Sequence, residues 1–438
     1  MATSLLHISI DFGTAYSGYS VKCNTTGVVK NYRDVTWGHE YGIRSCKTPT
    51  CILFDGNEVH FGYAAMQKFN EGFPDGKKTF FQDFKMQLYR NEGIQMNMDI
   101  SAVNGGKMKA ITVISECLRY LKNHALKTVK NVSASVELQD SDITWVLTVP
   151  AIWDDAAKQF MRHAAKQAGL VTDSDPERLI LALEPEAAAI YCKELPSDGF
   201  VGGEGGTLKL DQVPGTQFIT VDCGGGTIDI TVHEVLEGGF LKQVDQASGN
   251  GQGGQNIDRQ LVELLQKICG SKCWDEYVKQ NAEEFQWIMY TFASAKCAEV
   301  NTGFKFACPY NLNEIVKKHK GYSMETLLKG DHGVSWRRGQ IVISPEKLKS
   351  FYDKSLSATA ELLHDIMRKP RLHIKYMLLV GGYAMSKILQ NFMKEEFASQ
   401  CTILCPQHSQ QAVMVGAAAF GSRPQGGPQQ PAAFARPY

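Results

Sequence analysis

The chain has 438 residues, 43 % of them apolar and 21 % charged, with 46 Lys and Arg against 46 Asp and Glu. That is enough apolar sequence for a full core spread over two or three domains, and a net charge of zero excludes the basic footprint of a general nucleic-acid binder. No apolar run approaches the ~20 residues of a membrane span, MATSLLHISIDFG opens without a signal pattern, and the twelve cysteines form no zinc-spaced set, so a cytoplasmic protein with reduced thiols and no membrane insertion is expected.

In chain order, ISIDFGTAYSGYSV (8–21) predicts a hairpin of two alternating strands about a Gly-Thr turn. Residues 48–130 read as a smaller mixed segment with two helices, one over 111–127. TWVLTVPA (144–151) predicts a buried strand. A helix follows, with Asp154 at its N-cap, Ala157, Phe160, Met161, Ala164, Ala165 and Ala168 on one stripe, and Gly169 past its end. RLILALE (178–184) predicts another buried strand closed by Glu184, and Pro185 opens the next helix at its first position. The Gly/Pro/Ser-rich stretch 196–216 predicts a loop or lobe boundary. ITVDCGGGTIDITV (219–232) then predicts a second hairpin, and YMLLVGG (376–382) a third buried strand before a helix. The low-complexity segment 422–438 is expected to be a disordered tail.

The two hairpins match position for position, Asp11 on Asp222 and Gly13 on Gly224, which predicts an α/β fold of two duplicated lobes. A strand gains nothing from three glycines in a row, since each costs backbone entropy and packs no side chain. A bare turn, however, exposes N–H groups that can converge on a phosphate, and two such turns can hold a polyphosphate from opposite sides. The aspartate before each turn can hold a hydrated magnesium ion, and the hydroxyls of Thr14 and Thr227 can reach phosphate oxygens. Glu184 closes a buried strand, a costly place for a carboxylate unless it is paired or near a cation. A single GGG turn reads equally well as a tight hairpin; two matched copies flanked by Asp do not. There is no GxxxxGK[ST] stretch and neither hairpin runs straight into a helix, so the P-loop and Rossmann readings fail on context.

With DFGTAYSGYSV, TVPAIW, LEPEAAAIYC, VDCGGGTIDI and LLVGGYAMS in this order, the chain resembles the sugar-kinase, actin and heat-shock ATPase superfamily. Within it, residues 5–421 look like the nucleotide-binding domain of the 70-kilodalton heat-shock chaperones, nearest their divergent heat shock 70 kDa protein 12 branch. The resemblance implies an actin-like fold with a mixed sheet flanked by helices in each lobe and ATP or ADP with Mg2+ in the central cleft. Lobe I would be 1–212, with 48–130 as its smaller part; lobe II would be 213–400, with 249–335 as its smaller part; 401–421 would return to lobe I. It implies that Asp11, Asp222 and Asp229 hold magnesium through water. Gly13, Thr14, Ala15 and Tyr16 would wrap one side of the phosphates, and Gly224, Gly225, Gly226 and Thr227 the other. Lys85 would stand near the γ-phosphate and attacking water, with Glu184, Thr227 and Asp222 completing the catalytic set. Pro150 would link nucleotide state to lobe movement, and Gly253, Gly254, Lys296, Gly381, Gly382 and Tyr383 would wall the ribose and adenine.

The family pattern breaks in two places. Ala293 and Cys297 stand where the chaperones grip adenosine with Glu and Arg, and Met385 and Gln410 where charged residues are usual. After QAVMVGAAAFG no β-rich peptide-binding domain follows, which puts peptide chaperoning in doubt. The expectation is a slowly ATP-hydrolysing, nucleotide-dependent switch or atypical chaperone with protein partners. An actin-like scaffold without significant catalysis and a small-molecule kinase of the same superfamily remain as alternatives.

Overall fold

The computed structural model describes residues 5–23, 35–71, 78–90, 94–132, 139–203, 208–297, 303–329 and 333–422. The predicted tail beyond residue 422 lies outside them. Two five-stranded mixed sheets organise the chain. In the first, the strands run in the order Leu179–Leu183, Ile143–Val149, Leu6–Phe12, Tyr16–Cys23 and Thr48–Pro49. In the second, the order is Thr402–Leu404, Ile374–Val380, Gln217–Cys223, Ile228–Val235 and Leu241–Asn250. The topology agrees strand by strand. A hairpin's first strand is central, antiparallel to its mate and parallel to the strand on its other side, and a further strand pairs antiparallel with the mate. Both central strands alternate apolar with polar residues, yet they are buried on both faces, His7, Ser9 and Asp11 in the first and Thr220 and Asp222 in the second included. The duplication expected from the two hairpins is therefore a duplication of whole sheets.

The helices form where the sequence signals them. Asp154 accepts a hydrogen bond from the Ala157 amide at 2.8 Å, capping Asp155–Gln167, whose stripe of Ala157, Phe160, Met161, Ala164 and Ala165 is buried. The helix expected at 111–127 spans Ala110–Val132. Among the described residues between 48 and 130 there are three helices rather than two, because Lys85–Arg90 forms a short helix in addition to Tyr63–Asn70. Glu184 also differs from expectation. The strand stops at Leu183, and Glu184 is the first residue of the helix Glu184–Glu194. Proline is tolerated throughout a first helical turn, where its missing N–H has no partner to lose, so Pro185 does not fix the first position.

The helix Ala412–Gly421 follows the second sheet in the chain and returns to the first. It lies backbone to backbone on Glu184–Glu194: a Cβ at Gly416 would fall 1.8 Å from the Ala187 carbonyl oxygen. Ser9, in the first central strand, donates to the Met414 carbonyl at 2.5 Å. These two helices thus join the lobes beneath the hairpins. A small three-stranded sheet caps each lobe, Cys51–Asp55 with its neighbours in one and Gln340–Ile343 with its neighbours in the other. Apart from Cys23, the cysteines are free thiols. Among the described residues, no helix is long and apolar enough to cross a membrane.

Candidate functional site

The two hairpin turns meet at the mouth of one cavity of about 610 Å³, a volume that suits a nucleotide-sized ligand. Their contact explains the run of glycines. A Cβ at Gly225 would lie 2.4 Å from Ala15 Cβ, and one at Gly226 would lie 2.6 Å from Met86 Sδ and 2.7 Å from Thr14 Cγ2. Each turn is braced from behind. The carbonyls of Gly224, Gly225 and Gly226 accept from the amides of Gly254, Gln255 and Gly253, at the start of the helix Gln255–Cys269. In the first turn, Thr50 donates from its amide to the Ala15 carbonyl and from its hydroxyl to the Gly13 carbonyl, both at 2.8 Å. With the carbonyls held, the amides of Thr14, Ala15, Gly225, Gly226 and Thr227 donate to no backbone carbonyl among the described residues. Free amides in opposed turns make an anion site.

Below the turns sits a group of buried charges. Lys85 is 5 % exposed; its ammonium donates to the Phe12 carbonyl at 2.5 Å and stands 3.6 Å from Glu184 Oε1. The rings of Phe12 and Trp153 flank it at 5.8 and 5.1 Å from their centroids. Asp11 is ion-paired to Lys47 at 2.5 Å and takes a hydroxyl bond from Thr148 at 3.4 Å. Thr227 donates its hydroxyl to Asp229 Oδ2 at 2.9 Å, so its one proton is already committed. Glu184 Oε1 and Asp229 Oδ1 are buried without a hydrogen-bond partner.

Electrostatics follow from this crowding. Burial pushes Glu184 up to about 7, with Lys85 opposing and Asp11 and Asp229 adding to the rise. Burial raises Asp229 to about 6 against the Thr227 hydrogen bond and Lys85. Asp222 is raised well above the usual carboxylate range, by burial first and then by Glu184, Asp229 and Asp11. Lys47 is raised: burial works against its charge, and the adjacent Asp11 outweighs it. Orphaned carboxylate oxygens and raised carboxyls describe a site short of positive charge, which fits a divalent cation. Among the described residues no group of three or more His, Cys, Asp or Glu side chains is gathered to hold a metal ion directly.

Nearly every residue singled out in the sequence lines this cavity: Asp11, residues 13–16, Lys85, Pro150, Glu184, Asp222, residues 224–227, Asp229, Gly254, Lys296 and residues 381–383. Gly253 does not. It lies behind the second turn, where a Cβ would meet the Gly225 carbonyl oxygen at 2.6 Å, and it braces that turn. Lys296 is at the wall but tethered, by Asp258 at 2.6 Å and the Gly254 carbonyl at 3.4 Å. Tyr383 turns its hydroxyl away to Ser355 at 3.2 Å. Ala293, Cys297, Met385 and Gln410 line the same cavity beyond the turns, so the family's missing adenosine contacts fall on its wall. Lys47 and Asp258 were missed. Each lies far in sequence from its partner, and a lone Lys or Asp reads as a solvated surface charge.

The comparisons with known proteins agree with this geometry. The family model described as "Hsp70 protein" matches residues 7–301. The human heat shock 70 kDa protein 12A is 32 % identical over 96 % of this chain and 70 % of its own length. The human heat shock 70 kDa protein 12B is 28 % identical over 95 % of the chain and 68 % of its own. The chaperone protein DnaK of Ureaplasma parvum serovar 3 is 27 % identical over 59 % of the chain and 34 % of its own. With opposed glycine turns over a nucleotide-sized cavity and a family match across two thirds of its length, the chain belongs to the Hsp70 family, on its heat shock 70 kDa protein 12 branch, with that family's actin-like ATPase fold and nucleotide-binding character.

Proposed function

We propose that the cleft binds ATP and ADP with Mg2+ and hydrolyses ATP slowly to ADP and phosphate, so that the chain acts as a nucleotide-dependent switch for protein partners. The observation that carries this reading is the pair of opposed turns with uncommitted amides above a buried Lys85–Glu184 pair. Residues 13–16 and 224–227 wrap the phosphates from the two lobes. The ammonium of Lys85 has three donors and spends one on Phe12, leaving donors for a terminal phosphate and the water beside it. Phe12, Trp153 and Glu184 hold that ammonium in place, and catalysis of this kind is mostly positioning and charge stabilisation. Glu184 and Asp229, with oxygens to spare, and Asp222 accept from the waters of a hydrated magnesium ion. When bound, that ion supplies charge neutralisation at the phosphate oxygens.

Pro150 ends the strand Ile143–Val149 at the cavity wall, one turn of chain from Trp153 under Lys85. On this reading Pro150 passes a change at the phosphates to lobe I, proposed as residues 1–212, while lobe II, proposed as residues 213–400, carries the other turn. A ligand that touches both lobes favours the closed arrangement by its differential affinity for it.

The test is phosphate release from ATP with Mg2+ and no added acceptor. Slow release, lost on Lys85→Ala while nucleotide still binds, is the expected result. Release only when a small acceptor is supplied would point to a kinase. Binding with nucleotide-dependent pelleting and no release would point to a scaffold.

A further inference from the structure

The two hairpins are equivalent in backbone and unlike in charge. Across the second hairpin, Asp222 stands opposite Asp229; across the first, Asp11 stands opposite Gly18. Gly18 leaves the strand surface bare, and the stem of Lys47 occupies that place: a Cβ at Gly18 would lie 3.0 Å from Lys47 Cγ. A glycine inside a strand commonly marks such a close approach. The backbone next to Lys47 is fixed by the pairing of Thr48 with Ser17, so the stem is aimed along the hairpin toward Asp11. There the ammonium meets Oδ2 at 2.5 Å, with the side chains only 13 % and 5 % exposed. Asp229, by contrast, keeps one oxygen without a partner, and Asp222 faces three other carboxylates, with Lys47 the last and weakest of the charges acting on it.

Asp11, Glu184, Asp222 and Asp229 set four carboxyls around two ammonium groups, Lys47 and Lys85, while Arg44 and the ion-paired Asp258 and Lys296 line the same cavity. Carboxyls thus outnumber ammonium groups in this cluster, a deficit that a divalent ion lessens. We propose that Lys47 is a resident cation of the cleft: it neutralises Asp11 of the first hairpin and offers its remaining N–H donors to bound phosphate, so that the divalent ion is needed only beside Glu184 and the second hairpin and phosphate binding keeps a metal-independent part. This depends on the cleft being a nucleotide site. An ammonium carries three donors, and Asp11 takes one. The remaining donors are fixed at the cavity wall with little entropy left to lose.

The experiment is calorimetric titration of ADP in EDTA and in Mg2+, for the wild type, Lys47→Met and Lys47→Arg. Charge-assisted hydrogen bonds of this kind carry an effect of about tenfold or more in affinity. The wild type should lose less than about tenfold on removal of Mg2+. Lys47→Met should lose at least about tenfold in EDTA and clearly less in Mg2+, which steepens the metal dependence; Lys47→Arg should stay near the wild type. Should Lys47→Met not fold, by thermal unfolding, the charge-balanced pair Lys47→Met with Asp11→Asn is read in its place and should show the same loss in EDTA. An equal loss in both buffers, or no loss in EDTA, overturns the role of Lys47 and leaves the nucleotide reading standing. No ADP binding by the wild type in either buffer overturns the nucleotide reading, and this inference with it.

Discussion

Replacing Gly225 with alanine tests whether the two lobes must touch to hold a ligand. The new Cβ would stand 2.4 Å from Ala15 Cβ, while its next neighbours, Ala15 N and Cα, lie at ordinary contact distances of 3.5 and 3.6 Å. Carbon atoms rest at about 3.5–4.0 Å, so the turns must part by about 1 Å or more. Overpacking of this kind costs about 1–3 kcal/mol, charged here against the closed arrangement of the lobes. Since apparent affinity scales with the population of the binding-competent state, Mg-ATP should bind roughly 5- to 150-fold more weakly. The clash involves a single methyl, which gives the design its control: Ala15→Gly in the same chain removes the opposing Cβ and should restore most of the affinity. Calorimetry measures the binding, small-angle scattering measures the contraction on adding Mg-ATP, and a thermal melt confirms that each variant folds. Wild-type affinity and full contraction in Gly225→Ala, or no rescue by Ala15→Gly, would refute the reasoning.

Further outcomes are expected. Lys85→Ala should lower phosphate release by more than about tenfold, at least ~1.4 kcal/mol of transition-state stabilisation, with nucleotide binding retained; single-turnover assays with calorimetry measure it. Glu184 and Asp229 have folded values of about 7 and about 6, above their ordinary 4.5 and 3.8, so the folded chain holds these protons more tightly than the unfolded one. Stability without metal should therefore fall as pH rises from about 4 to 7, by at most about 1.4 kcal/mol per pH unit for each group, and Mg-nucleotide should flatten the profile; denaturant titrations at pH 5.5 and 7.5 check this. Wild-type ATP affinity should be micromolar with weak discrimination against GTP, because Ala293 accepts no hydrogen bond and Cys297 stacks no guanidinium. Ala293→Glu with Cys297→Arg should tighten ATP selectively in a competition assay.

How legible all this was depended on the range of each signal. The hairpins were readable because the device is local and appears twice: an Asp, a Gly-rich turn and alternation on both sides. That glycines 225 and 226 meet Ala15 and Thr14 was beyond sequence reading, although the need for bare backbone was not. Helix Asp155–Gln167 was readable because its cap, stripe and stop all lie within the one stretch 154–169. Glu184 was placed at a strand end because an apolar run before Pro185 does not say which residue turns into the helix first. Gly253 was taken for a wall of the cavity, yet its contact is with the back of a turn; both roles call for glycine. Lys47 left no mark of its own, since its partner lies 36 residues away, and the one hint was the otherwise unexplained Gly18 within a strand. Lys296 was readable as part of the cavity wall but not its tether, because Asp258 lies 38 residues away.

The measurement closest to the central claim is a crystal structure of the chain grown with Mg2+ and a non-hydrolysable ATP analogue. The account predicts one nucleotide per chain, its phosphates between residues 13–16 and 224–227, Lys85 nearest the terminal phosphate, and the base against Ala293 and Cys297. An empty cleft at millimolar nucleotide, or a nucleotide bound elsewhere on the surface, would contradict it.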